Sequence, residues 1–168
     1  MSVRIDAVVR VPDQYSQFWF LSGARYLRIH IAGGEPHQDT VVSGPGTLKD
    51  WPSLAGFDHI DAVVPVPDQH SQFWLLSGDQ YVRIHIADGE PHQDTVISGP
   101  GTLKDWPSLA GFDHIDAVVP VPDQHSQFWL LSGDQYVRIH IADGEPHQDT
   151  VISGPGTLKD WPSLSELQ

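Results

Sequence analysis

Residues 57–109 recur without a single change at residues 112–164, and residues 2–54 spell nearly the same text a first time. The period is 55 residues: Ile5-Asp6-Ala7-Val8-Val9 returns 55 positions on, beginning at Ile60, and again beginning at Ile115. A repeat of this length is one supersecondary unit. It cannot cover its own apolar surface and must stack on its neighbours. The first copy departs from the second at scattered positions, among them Arg10 for Pro65, Tyr15 for His70, Phe20 for Leu75, Ala24-Arg25 for Asp79-Gln80, Leu27 for Val82, Gly33 for Asp88 and Val42 for Ile97. The second and third copies diverge only in the tail Ser165-Glu166-Leu167-Gln168. Duplicated segments normally drift apart. Identity of this kind marks a very recent duplication or deliberate construction, and we expect an engineered, internally symmetric chain.

Within one copy the periodicity is that of strands. The short apolar run 60–64 is closed by Pro65 and Pro67-Asp68. Gln72-Phe73-Trp74-Leu75-Leu76-Ser77 is a second run, followed by the turn pair Gly78-Asp79. Residues 80–86 then alternate, with Val82, Ile84 and Ile86 on one face and Tyr81, Arg83 and His85 on the other. After Asp88-Gly89, Thr95-Val96-Ile97-Ser98 is a short fourth strand, which Gly99-Pro100-Gly101 is expected to break. Residues 102–109 cross to the next copy, with room for one helical turn. The 15 glycines and 14 prolines recur at fixed places, as turns do, and form no low-complexity tract. Four short strands per repeat at this period predict a propeller blade.

The residues resemble the hemopexin-like repeat family. The resemblance is carried by Ile-Asp-Ala-Val-Val, then Phe-Trp-Leu-Leu-Ser-Gly-Asp-Gln-Tyr-Val-Arg, then Trp-Pro-Ser-Leu, and it covers all three copies. It implies an all-β propeller of four-stranded blades, three per chain, at about residues 1–56, 57–111 and 112–168 of a single repeat domain. It also implies a central channel lined by the first strand of each blade. Backbone oxygens at Asp6-Ala7, Asp61-Ala62 and Asp116-Ala117 would there hold a hard cation, calcium or sodium. The bland alternative is that these aspartates cap a neighbouring loop.

The chain departs from that family in blade number, in its lack of a disulfide, in one third-strand residue and in slightly longer blades. The family normally closes four blades, whereas this chain has three; a disulfide often ties the family's first and last blades, whereas this chain has no cysteine. The usual Trp after the third-strand Tyr is Leu27, Val82 or Val137. An open arc of three blades would expose two apolar sheet faces. We therefore expect a self-closed three-bladed monomer or a homo-oligomer that completes a ring between chains. A β-trefoil, which also has three repeats, is a lesser alternative.

Nine basic residues against 22 acidic ones give a net charge of −13, which argues against nucleic acid as a partner and mildly for cations. The residues show no apolar leader and no run long enough for a membrane span, so a soluble protein is expected and its compartment is left open. Ten histidines raise a transition-metal reading, with His30 and His37, His85 and His92, and His140 and His147 each separated by a turn. Exposed strand and loop histidines are the plainer account. Trp51, Trp106 and Trp161, just before Pro-Ser-Leu, suggest a sugar-stacking platform with His92, Gln93 and Asp94 as polar neighbours; blade packing is the plainer account. Ser, His and Asp recur identically in each copy and no catalytic motif stands out, so no enzyme is expected. The functional expectation is a non-enzymatic scaffold or binding protein with a cation in its channel. The alternative is a lectin-like multivalent carbohydrate binder, and haem or transition-metal binding ranks below both.

Overall fold

The computed structural model describes residues 4–12, 14, 16–31, 39–69, 71–86, 94–141 and 149–167. Twelve strands form three antiparallel sheets of four. Blade 1 comprises β1 (Ala7–Arg10), β2 (Gln17–Ser22), β3 (Arg25–Ile31) and β4 (Asp39–Thr47). Blade 2 comprises β5 (Ala62–Pro65), β6 (Gln72–Ser77), β7 (Gln80–Ile86) and β8 (Asp94–Thr102). Blade 3 comprises β9 (Ala117–Val121), β10 (Gln124–Ser132), β11 (Gln135–Ile141) and β12 (Asp149–Thr157). The strands of each sheet follow one another in sequence order. The only helical elements among the described residues are 3-10 turns, such as Leu48–Asp50 and Pro52–Leu54, which carry the chain from one blade to the next.

One expectation fails in each copy. Gly99-Pro100-Gly101 does not end the fourth strand; β8 continues through it to Thr102. β8 is an edge strand, so the missing N–H of Pro100 costs no ladder bond on its outer side. Gly99 sits at φ +89°, where the register against β7 shifts, and the bulge absorbs the irregularity.

Strand alternation gives each blade two different faces. In blade 1, Val9 lies opposite Trp19 and Leu21 opposite Tyr26, so these share one face; Phe20 opposite Leu27 and Phe18 opposite Ile29 share the other. We call these the tryptophan face and the phenylalanine face. The tryptophan face of blade 1 packs on the phenylalanine face of blade 2, where Phe73, Leu75, Val82, Ile84 and Ile86 are buried. The tryptophan face of blade 2 packs in the same way on Phe128, Leu130, Val137, Ile139 and Ile141 of blade 3. The core thus lies between the sheets, as two nearly identical layers. Each fully buried aromatic or aliphatic side chain contributes about 1.5–3 kcal/mol relative to exposure.

Candidate functional site

The inner strands β1, β5 and β9 lie side by side in blade order, β1 against β5 and β5 against β9. Near the ends of these strands the chain surrounds an open cavity of about 680 Å³. Its wall is built from the same positions of successive copies: Val8, Val63 and Val118, then Arg10, Pro65 and Pro120, with Phe18 and Phe73 beside them. The wall is mainly apolar, and Arg10 is its one cationic member.

Each aspartate of the Asp-Ala steps uses its side chain locally. Asp6 Oδ2 accepts the Gly23 amide at 2.7 Å, Asp61 Oδ2 that of Gly78 at 2.7 Å, and Asp116 Oδ2 that of Gly133 at 2.7 Å. The acceptor position is dictated by the hairpin: the glycine at positive φ turns its N–H toward the start of the first strand. The second oxygen of Asp6 meets Arg4 Nε at 3.1 Å, and that of Asp61 meets His59 Nε2 at 3.4 Å. Among the described residues no three His, Cys, Asp or Glu side chains converge in a way that could hold a metal. Side-chain chemistry therefore does not fit a cation here, and only carbonyl oxygens of these strands are left as donors.

His30, His85 and His140 occupy one position on three separate sheets, opposite Gln17, Gln72 and Gln127. Their suggested partners His37, His92 and His147, and Gln93, lie outside the described residues. Trp51 and Trp106 are buried inside the blade interfaces, where each meets Trp19 or Trp74 edge-on, at 4.9 and 5.0 Å between centroids. No face of either ring is open to a sugar. Trp161 makes the same contact with Trp129 at 5.1 Å but is only half-buried, because no blade follows it.

Asp94 does not belong to a sugar pocket. It is 4% exposed, and its Oδ2 accepts the Ser53 amide of the preceding blade at 2.8 Å. Asp149 does the same for Ser108 at 2.9 Å. These latches were not legible in the sequence, because the partners are 41 residues apart and belong to different blades. Burial pushes both carboxyls upward from their ordinary value, opposed by their hydrogen bonds to the serines.

A second polar cluster is likewise invisible in the sequence. His59 Nδ1 lies 2.6 Å from Asp58 Oδ1, and its Nε2 lies 3.5 Å from Ser77 Oγ. The order carboxylate, imidazole, hydroxyl is that of a nucleophilic relay. Asp61, however, faces the same Nε2, and it also takes the Gly78 amide. Hydrogen bonding to Asp58 leads in raising the His59 pKa above its ordinary value, and Asp113 does the same for His114.

Compared by sequence, the chain matches no family model and no curated protein. Compared by structure, it superposes on the hemopexin-fold protein CP4 from cow pea with a TM-score of 0.81 at 24% identity, over 97% of this chain and 72% of that one. The fold is hemopexin-like. A Cicer arietinum albumin described as showing hemagglutination gives a TM-score of 0.79 at 22% identity, over 96% of this chain and 71% of that one. A Cicer arietinum lectin described as having two metal-binding sites gives 0.62 at 18% identity, over 98% of each chain. Among the described residues, no helix of this hemopexin-like chain is long and apolar enough to cross a membrane.

Proposed function

We propose that the chain is a non-enzymatic binding scaffold that takes a small ligand at the mouth of its channel. The observation that carries this is the cavity of about 680 Å³ walled largely by equivalent residues of successive blades, mainly apolar, with Arg10 and Gln14 as its polar side chains. Such a site suits a compact apolar molecule bearing an anionic group. If a calcium or sodium ion is held, the carbonyl oxygens at Asp6-Ala7, Asp61-Ala62 and Asp116-Ala117 would be its donors. The identity of the second and third copies fits a chain assembled by deliberate repetition.

Native mass spectrometry with and without a chelator, followed by titration with small anionic amphiphiles, tests the reading. A bound species lost on Arg10→Ala supports the mouth site; mass removed by the chelator supports the ion. Absence of both under saturating conditions refutes the binding role. The hemagglutination and lectin descriptions of two structural neighbours favour carbohydrate binding as the second reading. A glycan array decides it: retention of any sugar, abolished by Trp161→Ala, supports it, and a blank array removes it.

A further inference from the structure

The arc has two free ends, and they are the two halves of an interface the chain already builds twice. At one end, Phe18, Phe20, Leu27, Ile29 and Ile31 of blade 1 are only partly covered, whereas their equivalents in blades 2 and 3 are buried. At the other, Trp129, Leu131, Tyr136, Trp161 and Leu164 of blade 3 are half-exposed, whereas the matching residues of blade 2 are buried. The latch is divided in the same way. Asp39, the counterpart of Asp94 and Asp149, is exposed on blade 1. Ser163, the counterpart of Ser53 and Ser108, is exposed on blade 3, and among the described residues no carboxylate meets its amide. Ile5 is 45% exposed, whereas Ile60 and Ile115, which lean on the blade before them, are fully buried.

Two further observations say what belongs there. On the free face of blade 1, Phe20 for Leu75 and Leu27 for Val82 keep the surface apolar and enlarge it, while Arg10, opposite Phe18, stands where the second copy has Pro65. In addition, the three blades account for 72% of the CP4 chain, and the remainder is about the length of one more repeat. By that comparison of length, one further blade is what separates this arc from the CP4 chain.

We propose that the slot between the free ends is filled by one terminal blade of a second copy of the chain. The incoming blade sets its Pro-Ser-Leu turn on Asp39 and its own aspartate on Ser163, repeating the Ser53–Asp94 latch on both sides. Only an end blade can be lent in this way, since the middle blade is tied to a neighbour at each end. A donor that lends a blade widens its own slot, so the exchange continues until a set of rings closes or a chain of copies grows.

The protein has no cysteine, which makes the test clean. Full-length chains carrying Asp39→Cys or Ser163→Cys alone are mixed, equilibrated and oxidised, and masses are read by native and denaturing mass spectrometry. The Ser53→Cys/Asp94→Cys double variant calibrates the geometry and is expected to cross-link within one chain. The expected result is an oligomer whose two variants join through residues 39 and 163 of different chains, with far less product from either variant alone. The Asp39→Cys/Ser163→Cys chain cross-linking within itself at monomer mass would overturn the proposal, because the arc would then close alone. A monomer with no cross-link, or an oligomer joined without the 39–163 pair, would overturn it as well.

Discussion

The carboxylate of Asp94 holds the backbone amide of Ser53 at 2.8 Å across the boundary between two blades, and Asp149 holds Ser108 in the same way one repeat later. Each latch fastens the first residue of an outer strand to a 3-10 turn of the blade before it. Apolar faces can slide over one another, whereas a buried charge-assisted hydrogen bond fixes register.

Asp94→Ala leaves a buried amide without its acceptor. We expect a loss of about 1–3 kcal/mol, read as a lower urea midpoint, and a similar loss for Asp149→Ala. The two sites lie in different interfaces, so the double variant should lose close to the sum. A double variant no weaker than either single one would show that the latches are not independent.

The same aspartates set a pH dependence. Their folded-state pKa values are raised by burial, so between the unfolded and folded values the folded chain keeps protons that the unfolded chain has released. Their contribution to stability therefore falls as pH rises through that window, which opens near the unfolded value of about 3.9. The Asp94→Asn/Asp149→Asn chain should lack this decline. Urea midpoints collected from acid to neutral pH would show it as a flattened difference curve, and parallel curves would count against it.

His59 and His114 should titrate above the ordinary imidazole value, because Asp58 and Asp113 hydrogen-bond their Nδ1 atoms. A raised folded value means that any stability they add is present at low pH and is lost as pH rises through that value. Asp58→Asn should lower the His59 midpoint in an NMR titration and leave His114 where it was. The first copy has Arg4 in this place, paired with Asp6.

Identical residues should differ in worth by blade. Trp74 is fully buried between blades, and Trp74→Ala should cost about 3–5 kcal/mol. Trp129 has the same neighbours within its sheet but a half-open face, so Trp129→Ala in a dilute, monomeric sample should cost distinctly less. Equal losses in thermal or urea unfolding would mean that the face of blade 3 is covered.

Gly101 is confined by its neighbours. An added Cβ would lie 2.5 Å from Asp105 Oδ2 and 2.6 Å from the Tyr81 ring, so Gly101→Ala should destabilise by about 1–3 kcal/mol. Gly56, between blades, faces open space, and Gly56→Ala should leave the unfolding midpoint nearly unchanged.

Much of the blade is legible in the residues themselves. Gln72–Ser77 and Gln80–Ile86 begin and end where the alternation and the Gly78-Asp79 turn put them, because period-two patterning and turn chemistry are local. The passage of β8 through Gly99-Pro100-Gly101 is not legible. A proline reads as a stop unless the strand is known to be an edge. That the Asp-Ala carboxylates cap a neighbouring loop is one of two readings the sequence allows; the particular amide, Gly78 for Asp61, lies 17 residues away and is fixed only by the hairpin.

The sequence by itself determined the repeat, the strands within it and the need to stack, because each follows from residues close together in the chain. Only the tertiary structure decided which face meets which. The sequence favours packing over a ligand platform for Trp51 and Trp106 but cannot name the blade that covers them, and it offers Asp94 as a polar neighbour of that platform without showing Ser53 as its partner. Burial and partnership across a blade boundary depend on how whole sheets are placed. Two copies with the same letters can therefore differ in exposure and in worth, depending only on whether another blade stands beside them.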